Sequence, residues 1–365
     1  MLNYIIWDWN PDILTLGFLK IRYYGLLFAG GFAIGYYILK KIFIKEGTDI
    51  AWLDSLLMYV LAGTVIGARL GHCLFYEPDF YLSHPIEILK VWKGGLASHG
   101  GAFGIVIALW FYSRKVSHKS MMWGLDRLLI VVALSGAMIR MGNLANSEIY
   151  GRPTDSSFGF VHVTDSYFGR YIKDESIARF LEDYDFEKEV SQDKEQRAKL
   201  TLEFNRYVRS EEDAKTIAEF RVKPLLKYRK SADGSVPNLY MTDDSQISYT
   251  QKEGHFYATL PITVIPKHPT HIYEALCYLF TFLLTMLAYS RGALKRPGLI
   301  FGIFAVMVFG SRFFIEIIKE NQVVAEVGKT LNNGQKLSIP FVIAGLIAIV
   351  NAYLPKKNKQ TKDLS

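Results

Sequence analysis

Seven apolar runs, each about 20 residues long, constrain this chain more than any other feature. They cover residues 16–39, 52–74, 95–113, 122–146, 269–289, 297–318 and 338–354. A helix of that length crosses the hydrocarbon layer of a bilayer, and a soluble enzyme would not need so many. Acidic Asp8 and Asp12 precede the first run and no small-residue cleavage site follows it, so it predicts a retained span, not a signal peptide. The sequence therefore predicts an all-α polytopic membrane protein with seven transmembrane helices.

Lysine and arginine residues cluster in alternate short loops. They follow runs one, three, five and seven, within residues 40–45, 114–119, 291–296 and 356–362, whereas the other short loops hold few. Because short loops rich in these residues stay in the cytoplasm, the pattern predicts a cytoplasmic C-terminus and an N-terminus on the outer face. The net charge of +7 is explained by this topology and does not indicate a nucleic-acid partner.

A long polar block interrupts the apolar runs at residues 152–267. It divides the chain into residues 1–151 with helices 1–4, the block itself as an outer-face head, and residues 268–365 with helices 5–7 and a basic tail. Residues 186–220 carry mixed charges at helical spacing, and residues 256–265 are rich in the β-branched and aromatic side chains that favour a strand. The block therefore predicts a mixed α/β extramembrane insertion between helices 4 and 5.

The end of the fourth run carries an unusual polar cluster. Arg140, Asn143 and Asn146 follow one another at spacings of three, which places them on one broad helical face, and Glu148 lies near the helix end. Polar groups at this depth lose water and must find partners inside the protein. An internal network that merely ties helices together is the alternative, but such a network rarely needs an arginine. The cluster predicts a functional site.

The sixth run supplies a second charged stripe, formed by Arg312, Glu316 and Lys319. The spacing permits an intrahelical ion pair between Arg312 and Glu316. That pair can be purely structural, or Glu316 can orient Arg312 towards a ligand, and the two interpretations are compatible.

Three further residues in other runs are candidates. His99 is flanked by glycines at the start of the third run, and an imidazole with an ordinary pKa of about 6.5 suits proton transfer near neutrality. A structural histidine that bonds a main-chain carbonyl is the alternative. Tyr24, near the start of the first run, can belong to an interfacial belt of aromatic residues. Arg69, late in the second run, can pair with Glu148 or Glu316 as scaffolding.

Several kinds of chemistry find no support in the sequence. Cys73 and Cys277 both lie inside apolar runs, so neither a disulfide nor a nucleophilic cysteine is expected. The chain lacks a phosphate-binding Gly-rich loop, a zinc-binding histidine pair and a serine-hydrolase elbow. We therefore expect no metal and no cofactor.

Arginines on two different helices make an anion site, and the abundant anions inside a bilayer are lipid phosphates. Arg presents a planar fork to phosphate and stays charged when buried. A nearby histidine can remove a proton from an acceptor. This combination suits displacement at a carbon that bears a phosphate leaving group.

Residues 140–151, read as Arg-x-Gly-Asn-x-x-Asn-x-Glu-x-x-Gly, resemble the signature of the prolipoprotein diacylglyceryl transferase family. Other segments resemble the family's motifs in the same order; they are residues 24–26, 67–71, 94–101, 268–274, 312–316 and 337–340. The resemblance covers nearly all of the membrane part. Ile139 and Leu144 depart from the signature, where Gly and Phe are usual, and these are packing changes. His271 replaces a usual Gln and Lys319 a common Arg, and residues 152–267 are longer than the family norm.

The resemblance implies a reaction and a set of partners. A diacylglyceryl group would pass from phosphatidylglycerol to the thiol of a lipobox cysteine in a prolipoprotein signal peptide, in the bacterial inner membrane. Arg140 and Arg312 would engage the lipid phosphate, and His99 is the candidate general base. The substrate-binding residues implied by the family are Tyr24, Arg69, Asn143, Asn146, Glu148, Gly151 and Glu316. Whether the histidine or an arginine-centred network activates the thiol stays open.

Two other classes of function use the same residues. A transporter or flippase for an anionic lipid would bind with these arginines and break no bond, although the chain shows no internal repeat of the kind that many transporters have. A membrane scaffold for the outer head would be indifferent to replacement of Arg140 or Arg312.

Overall fold

The structure of the protein is a computed structural model, which describes residues 4–16, 19–91, 94–95, 97–172, 175–189, 196–232, 234–321 and 328–354. Within these ranges the chain is mostly helical. The α-helices are α1 (Tyr23–Lys45), α2 (Ile50–Phe75), α3 (Pro78–Ser83), α4 (Ser98–Tyr112), α5 (Met121–Ala145), α6 (Tyr167–Tyr171), α7 (Glu175–Ala178), α8 (Glu211–Ile217), α9 (Thr270–Ser290), α10 (Leu299–Ile318) and α11 (Asn333–Tyr353).

Six of the described helices are long and apolar enough to cross a membrane, namely α1, α2, α5, α9, α10 and α11. The chain is therefore a multi-pass membrane protein, as its apolar runs predict. Helix α4 corresponds to the third run but has only 15 residues. At a rise of about 1.5 Å per residue it is shorter than the roughly 30 Å of a hydrocarbon layer. Six of the seven predicted spans therefore correspond to helices that are long enough to cross a membrane.

The first membrane helix begins later than its apolar run. Residues of the run's N-terminal end form a hairpin of two strands, β2 (Asp12–Leu16) and β3 (Leu19–Arg22), and α1 begins at Tyr23. The hairpin is closed by an ion pair in which Arg22 Nε lies 3.0 Å from Asp12 Oδ1. The expected span at residues 16–39 was wrong at its start because polar residues interrupt the apolar ones there, which suits a short hairpin better than a helix buried in lipid.

The chain forms two compact units, each assembled from separate segments. The first comprises residues 1–28, 137–276 and 311–339, and the second comprises residues 29–136, 277–310 and 340–365.

The first unit contains the insertion between α5 and α9, which is built around an antiparallel sheet. Its strands, beside a parallel pair of β1 (Tyr4–Trp7) with β4 (Gly159–His162), are β5 (Leu181–Glu189), β6 (Arg197–Phe204), β7 (Leu239–Tyr240), β8 (Ser248–Lys252) and β9 (His255–Val264). The strand order is β5-β6-β9-β7, and β8 also pairs with β9. The predicted mixed α/β insertion is confirmed, and so is the strand expected at residues 256–265.

The helix expected at residues 186–220 was largely wrong. Its first half forms β5 and β6, and only α8 is α-helical in the second half. In β6 the side chains of Leu200, Leu202 and Phe204 are buried while those between them are not. This alternation of two favours a strand, and the mixed charges on the outward face concealed it.

Close helix packing defines the second unit. Helices α2 and α4 meet through glycines, so that a Cβ on Gly67 would lie 2.4 Å from Gly100 O and one on Gly104 would lie 2.0 Å from Gly63 O. No side chain fits between the two backbones, and this is the small-residue packing typical of helices in lipid. Elsewhere in the unit Asp126 caps the start of α10, because its carboxylate accepts from Gly298 N at 2.7 Å and from Phe301 N at 2.9 Å.

An unusual buried histidine lies in the first unit. His162, at the end of β4, is fully buried, and its ring stacks on Tyr150 at a centroid distance of 4.7 Å. The ring of His271 lies 5.3 Å away, and neither ring nitrogen of His162 has a hydrogen-bond partner among the described residues. Burial lowers the pKa of His162 well below its usual value, with smaller contributions from His271 and Lys267.

This burial predicts a loss of stability in acid. The pKa of His162 is lower in the folded protein than in the unfolded chain, so below about pH 6.5 the unfolded chain takes up a proton that the folded protein does not. The free energy of unfolding should then fall by up to ~1.4 kcal/mol per pH unit from this group. We expect His162→Phe to flatten the fall in melting temperature between about pH 6.5 and 5, measured by thermal unfolding in detergent. The exposed control His84→Phe should follow the unmodified protein, and parallel curves for all three proteins would contradict the assignment.

Candidate functional site

Five charged side chains of the first unit form one connected series. Arg140 Nε lies 2.8 Å from Glu274 Oε2, and Lys319 Nζ lies 3.4 Å from the other oxygen of Glu274. Lys319 Nζ is also 3.3 Å from Glu316 Oε1, which in turn lies 3.4 Å from Arg312 Nε. Cation and anion alternate along this series, which we call the charge chain. It places the two predicted arginines at its two ends.

Burial differs along the charge chain. The side chains of Glu274 and Lys319 are 0% and 2% exposed, whereas those of Arg140 and Arg312 at the ends are 14% and 34% exposed. A buried charge is tolerated when it is paired, and the inner three members are paired on both sides. The charge chain has three cations and two carboxylates, so these five side chains together carry one net positive charge. Its ends can therefore receive an anion without leaving a carboxylate unpaired.

Three helices bring the charge chain together. Arg140 belongs to α5, Glu274 to the first turns of α9, and Arg312 and Glu316 to one stripe of α10. The predicted pair of Arg312 with Glu316 is confirmed. Lys319 follows the end of α10 and forms a β-bridge with Gly151. The segment after α5 thus holds the end of α10 in place.

Glycine is needed at position 151 for this contact between the segment after α5 and the end of α10. The N–H of Gly151 donates to His268 O at 2.8 Å, and the next N–H, of Arg152, donates to Ile318 O at 2.7 Å. A Cβ on Gly151 would lie 2.7 Å from both His268 Cβ and Ile318 O. The residue therefore acts here through close backbone approach, and its expected contact with substrate stays a prediction.

The polar cluster at the end of α5 is hydrogen bonded as a unit. Arg140 Nη1 donates to Asn143 Oδ1 at 3.2 Å. Both amides then donate to the same oxygen of Glu148, Asn143 at 2.8 Å and Asn146 at 3.2 Å. The structure brings these four predicted residues together, although α5 ends at Ala145, so that Asn146 and Glu148 belong to the turn beyond it.

That turn has an uncommon backbone. Ser147 and Ile149 have φ values of 55° and 60°, in the left-handed region. A β-branched residue rarely adopts this conformation, and it costs of order 1–3 kcal/mol. Thr270 Oγ1 donates to Ile149 O at 2.9 Å and helps to hold it. The turn carries Glu148 back to the amides of α5, so the strain is located at the candidate site.

Two further predicted residues lie against this framework. Tyr24, in the first turn of α1, packs on Gly142, where an added Cβ would lie 2.8 Å from Tyr24 Cδ2. Its ring therefore lies beside the stretch of α5 that carries Arg140 and Asn143. Glu316 accepts a hydrogen bond from Asn332 Nδ2 at 2.9 Å in addition to its two ion pairs.

Arg69 has a different environment, in the second unit. It is 3% exposed, and its three nitrogen atoms donate to main-chain carbonyls, including Ile88 O at 2.8 Å and Gly94 O at 2.6 Å. Its guanidinium also lies 4.9 Å from the ring centre of Tyr81. These contacts hold the segment before α4, and the expected pairing with a carboxylate is replaced by pairing with carbonyls. Substrate contact by Arg69 stays a prediction.

His99 lies in the first turn of α4, and its side chain is outside the described part of the structure. Its expected role as a base stays a prediction.

Comparison with known proteins matches the sequence to one family. The family model described as "Prolipoprotein diacylglyceryl transferase" matches residues 11–351. The chain belongs to this family. A protein from Porphyromonas gingivalis named phosphatidylglycerol–prolipoprotein diacylglyceryl transferase is 40% identical over 371 residues, covering 99% of this chain and 98% of the relative. Proteins of the same name from Tolumonas auensis and Chloroherpeton thalassium are 32% and 34% identical, each over 95% of this chain and over 96% and 94% of their own lengths.

Sequence reasoning missed Glu274, one of the two carboxylates of the charge chain. Glu274 was recognised only as part of the segment at residues 268–274, yet it is fully buried between Arg140 and Lys319. A charge count would have found it. Three cations in or beside apolar runs need more than Glu316 as a partner, and Glu274 is the acidic residue inside the fifth run. Asn332 gave no comparable signal, because its contact with Glu316 joins residues 16 positions apart in the sequence.

Replacing Lys319 should show how far the site depends on the charge chain. Lys319→Met keeps the length of the side chain but leaves two buried carboxylates without their shared cation. Breaking a buried ion pair from one side typically costs about 3–5 kcal/mol, so we expect a clear fall in melting temperature in detergent. Lys336→Met, on an exposed position of α11, is the matched control and should melt like the unmodified protein. Equal melting temperatures for the two variants would show that Lys319 does not stabilise the site.

Proposed function

We propose that this protein transfers the diacylglyceryl group of phosphatidylglycerol to the thiol of a lipobox cysteine in a prolipoprotein. A carbon–sulfur bond forms at the glycerol carbon that carries the phosphate, and the carbon–oxygen bond to that phosphate breaks. Glycerol phosphate leaves with the bonding electron pair, and the thiol proton passes to a base. Family membership and the names of the three relatives support the reaction. The observation that carries it in this chain is the net positive charge chain with a partly exposed arginine at each end.

Arg140 and Arg312 are assigned to the lipid phosphate. Guanidinium groups stay charged when partly buried and form short, charge-assisted hydrogen bonds to phosphate oxygens. As the bond to the phosphate breaks, negative charge grows on the leaving group, and fixed cations stabilise that charge more than they stabilise the starting lipid. Glu316 holds Arg312 for this task, and Glu274 holds Arg140.

The hydrogen-bonded cluster of Asn143, Asn146 and Glu148 is assigned to the glycerol part of the lipid headgroup. Amides and a carboxylate fixed by one another present donors and acceptors in set directions, which suits hydroxyl groups. Tyr24 closes one side through its contact with Gly142. Gly151 supports the site by holding the backbone around it, and Arg69 is kept as a proposed substrate contact.

We further propose the bacterial inner membrane as the location, with seven spans of which α4 is the third. Residues 1–151 then carry the first four spans, residues 152–267 form a periplasmic head, and residues 268–365 carry the last three spans with a cytoplasmic tail. The alternation of basic loops supports this orientation, with the N-terminal end on the periplasmic side. The π-helical turn Ser113–Ser117, which directly follows α4, would lengthen that short span.

Arg140→Ala should abolish transfer while the protein remains inserted in the membrane. Removing one group that stabilises transition-state charge typically costs about 100- to 1000-fold in rate, and this arginine also binds the lipid. The measurement is mass spectrometry of a lipobox peptide incubated with purified protein and phosphatidylglycerol vesicles. Arg114→Ala, at an exposed position of the π-helical turn Ser113–Ser117, should behave like the unmodified protein. Robust product from the Arg140 variant would overturn the assignment, and lipid movement between leaflets without peptide modification would indicate a transporter.

His99→Gln should lower kcat more than it weakens lipid binding. A general base typically contributes about 100- to 10,000-fold to rate, and glutamine preserves size and polarity without accepting a proton at neutral pH. The same peptide assay, run over a range of phosphatidylglycerol concentrations, separates kcat from KM. His84→Gln is the exposed control. An unchanged kcat in the His99 variant would show that another group activates the thiol.

A further inference from the structure

A cleft in the first unit shares Glu148 with the candidate site and is lined in part by the insertion. This cleft has a volume of about 370 Å³, in the range of pockets that hold small ligands or a few residues of a peptide. Its lining, which we call the polar cleft, combines residues after α5, residues of the insertion and residues after α10; among them are Glu148, Tyr150, Asp165, Arg229, Asn238 and Glu320.

The polar cleft continues directly from the charge chain. Glu148 lines the cleft, and the same carboxylate accepts the amide donors of Asn143 and Asn146. Asn143 is in turn hydrogen bonded to Arg140 at 3.2 Å. A substrate held at Arg140 therefore has the polar cleft as its neighbour across one carboxylate.

One wall of the cleft is held rigidly. Tyr150 Oη donates to Asp165 Oδ2 at 2.5 Å and accepts from Asn238 Nδ2 at 3.3 Å. The Tyr150 ring is stacked on His162, and Lys267 Nζ lies 4.6 Å from the ring centre on the insertion side. A wall fixed by several contacts loses little entropy when a ligand binds, so it is suited to recognition.

Asn238 supplies an unused acceptor in this wall. Its side chain is only 3% exposed, and its Oδ1 has no hydrogen-bond partner among the described residues. Buried polar atoms are nearly always paired in folded proteins. An N–H group of a ligand in the cleft would provide the missing donor.

The chemistry of the lining selects the kind of ligand. Acyl chains need an apolar surface, whereas this lining is rich in hydroxyl, amide and charged groups. The lining holds three carboxylates against two arginines, Arg170 and Arg229, and the remaining excess of negative charge disfavours a second phosphate. Acceptors and donors of both kinds suit the main chain of a polypeptide, which offers N–H and C=O groups in alternation.

We infer that the polar cleft binds the stretch of polypeptide that follows the acceptor cysteine in the protein substrate. This inference rests on the proposed function, because it takes the substrate to be a polypeptide whose thiol is presented to the lipid that Arg140 holds. Recognition passes through the main chain, with Asn238 Oδ1 accepting from a peptide N–H. The cleft therefore gives affinity for any extended segment, with weak preference for its side chains.

Peptide length provides the test. One peptide ends at the residue after the cysteine, and the other continues for about six residues, roughly 20 Å when extended. Asn238→Leu removes the amide at similar size, and losing one hydrogen bond should raise KM for the longer peptide about five- to tenfold. The KM for the short peptide, the KM for phosphatidylglycerol and kcat should not change. Gln251→Leu, an amide replaced on the exposed strand β8, is the control and should leave every constant unchanged.

Each other outcome overturns the inference. An equal effect on both peptides, or a raised KM for phosphatidylglycerol, would assign the cleft to the lipid. An unchanged KM for the longer peptide would leave the cleft without this role. Transfer to neither peptide by the unmodified protein would instead refute the proposed function.

Cross-linking of the unmodified protein gives a second measurement that does not depend on a variant's folding or on turnover. A photoreactive residue placed about three positions after the cysteine, roughly 10 Å along an extended chain, should label residues 229–238. Labelling confined to other parts of the chain would overturn the inference.

Discussion

Three cations that share two carboxylates hold the first unit's site together. Because Glu274 and Lys319 are almost wholly removed from solvent, each needs the other, and neither can be exchanged without leaving a charge in a poorly solvating environment. The arrangement fixes α5, α9 and α10 at one point through charge, not through apolar contact. It also leaves the unbalanced positive charge at the ends, where Arg140 and Arg312 are accessible. The same ion pairs that join the helices therefore also leave the positive charge that can bind an anion.

The backbone around the charge chain is as specialised as its side chains. Ile149 is held in a left-handed conformation, Gly151 passes between neighbours that leave no room for a Cβ, and Lys319 is fixed by a β-bridge to that glycine. Such features are costly singly. Together they place Glu148 and the end of α10 close to α5, the helix that carries Arg140. This explains why backbone strain and close backbone approach are concentrated at the site.

Much of this could be predicted from sequence, and the reasons for success and failure differ. Seven long apolar runs predicted seven membrane helices, and six of the described helices are long and apolar enough, because length and composition suffice for that inference. The pair of Arg312 with Glu316 followed from helical spacing alone. The contact of Glu274 with Lys319 did not, because it joins residues 45 positions apart and depends on how α9 meets the end of α10. The helix expected at residues 186–220 was largely wrong because the buried alternation of Leu200 and Leu202 was outweighed by the pattern of surrounding charges. The hairpin before α1 was missed because the leucines and isoleucines of its strands extend the apolar run of α1, and the polar residues between them were given too little weight.

The hydrogen bonds that Arg69 donates to the described residues before α4 all end on main-chain oxygens. A guanidinium that donates to main-chain carbonyls does not depend on which side chains the bonded residues carry. Residues 87–91 can therefore diverge among descendants of this protein with little penalty, provided that the path of the backbone is kept. The same contact would then make residues 87–91 tolerant of substitution and Arg69 intolerant of it. A stretch of variable sequence could still hold the start of α4 in a fixed position.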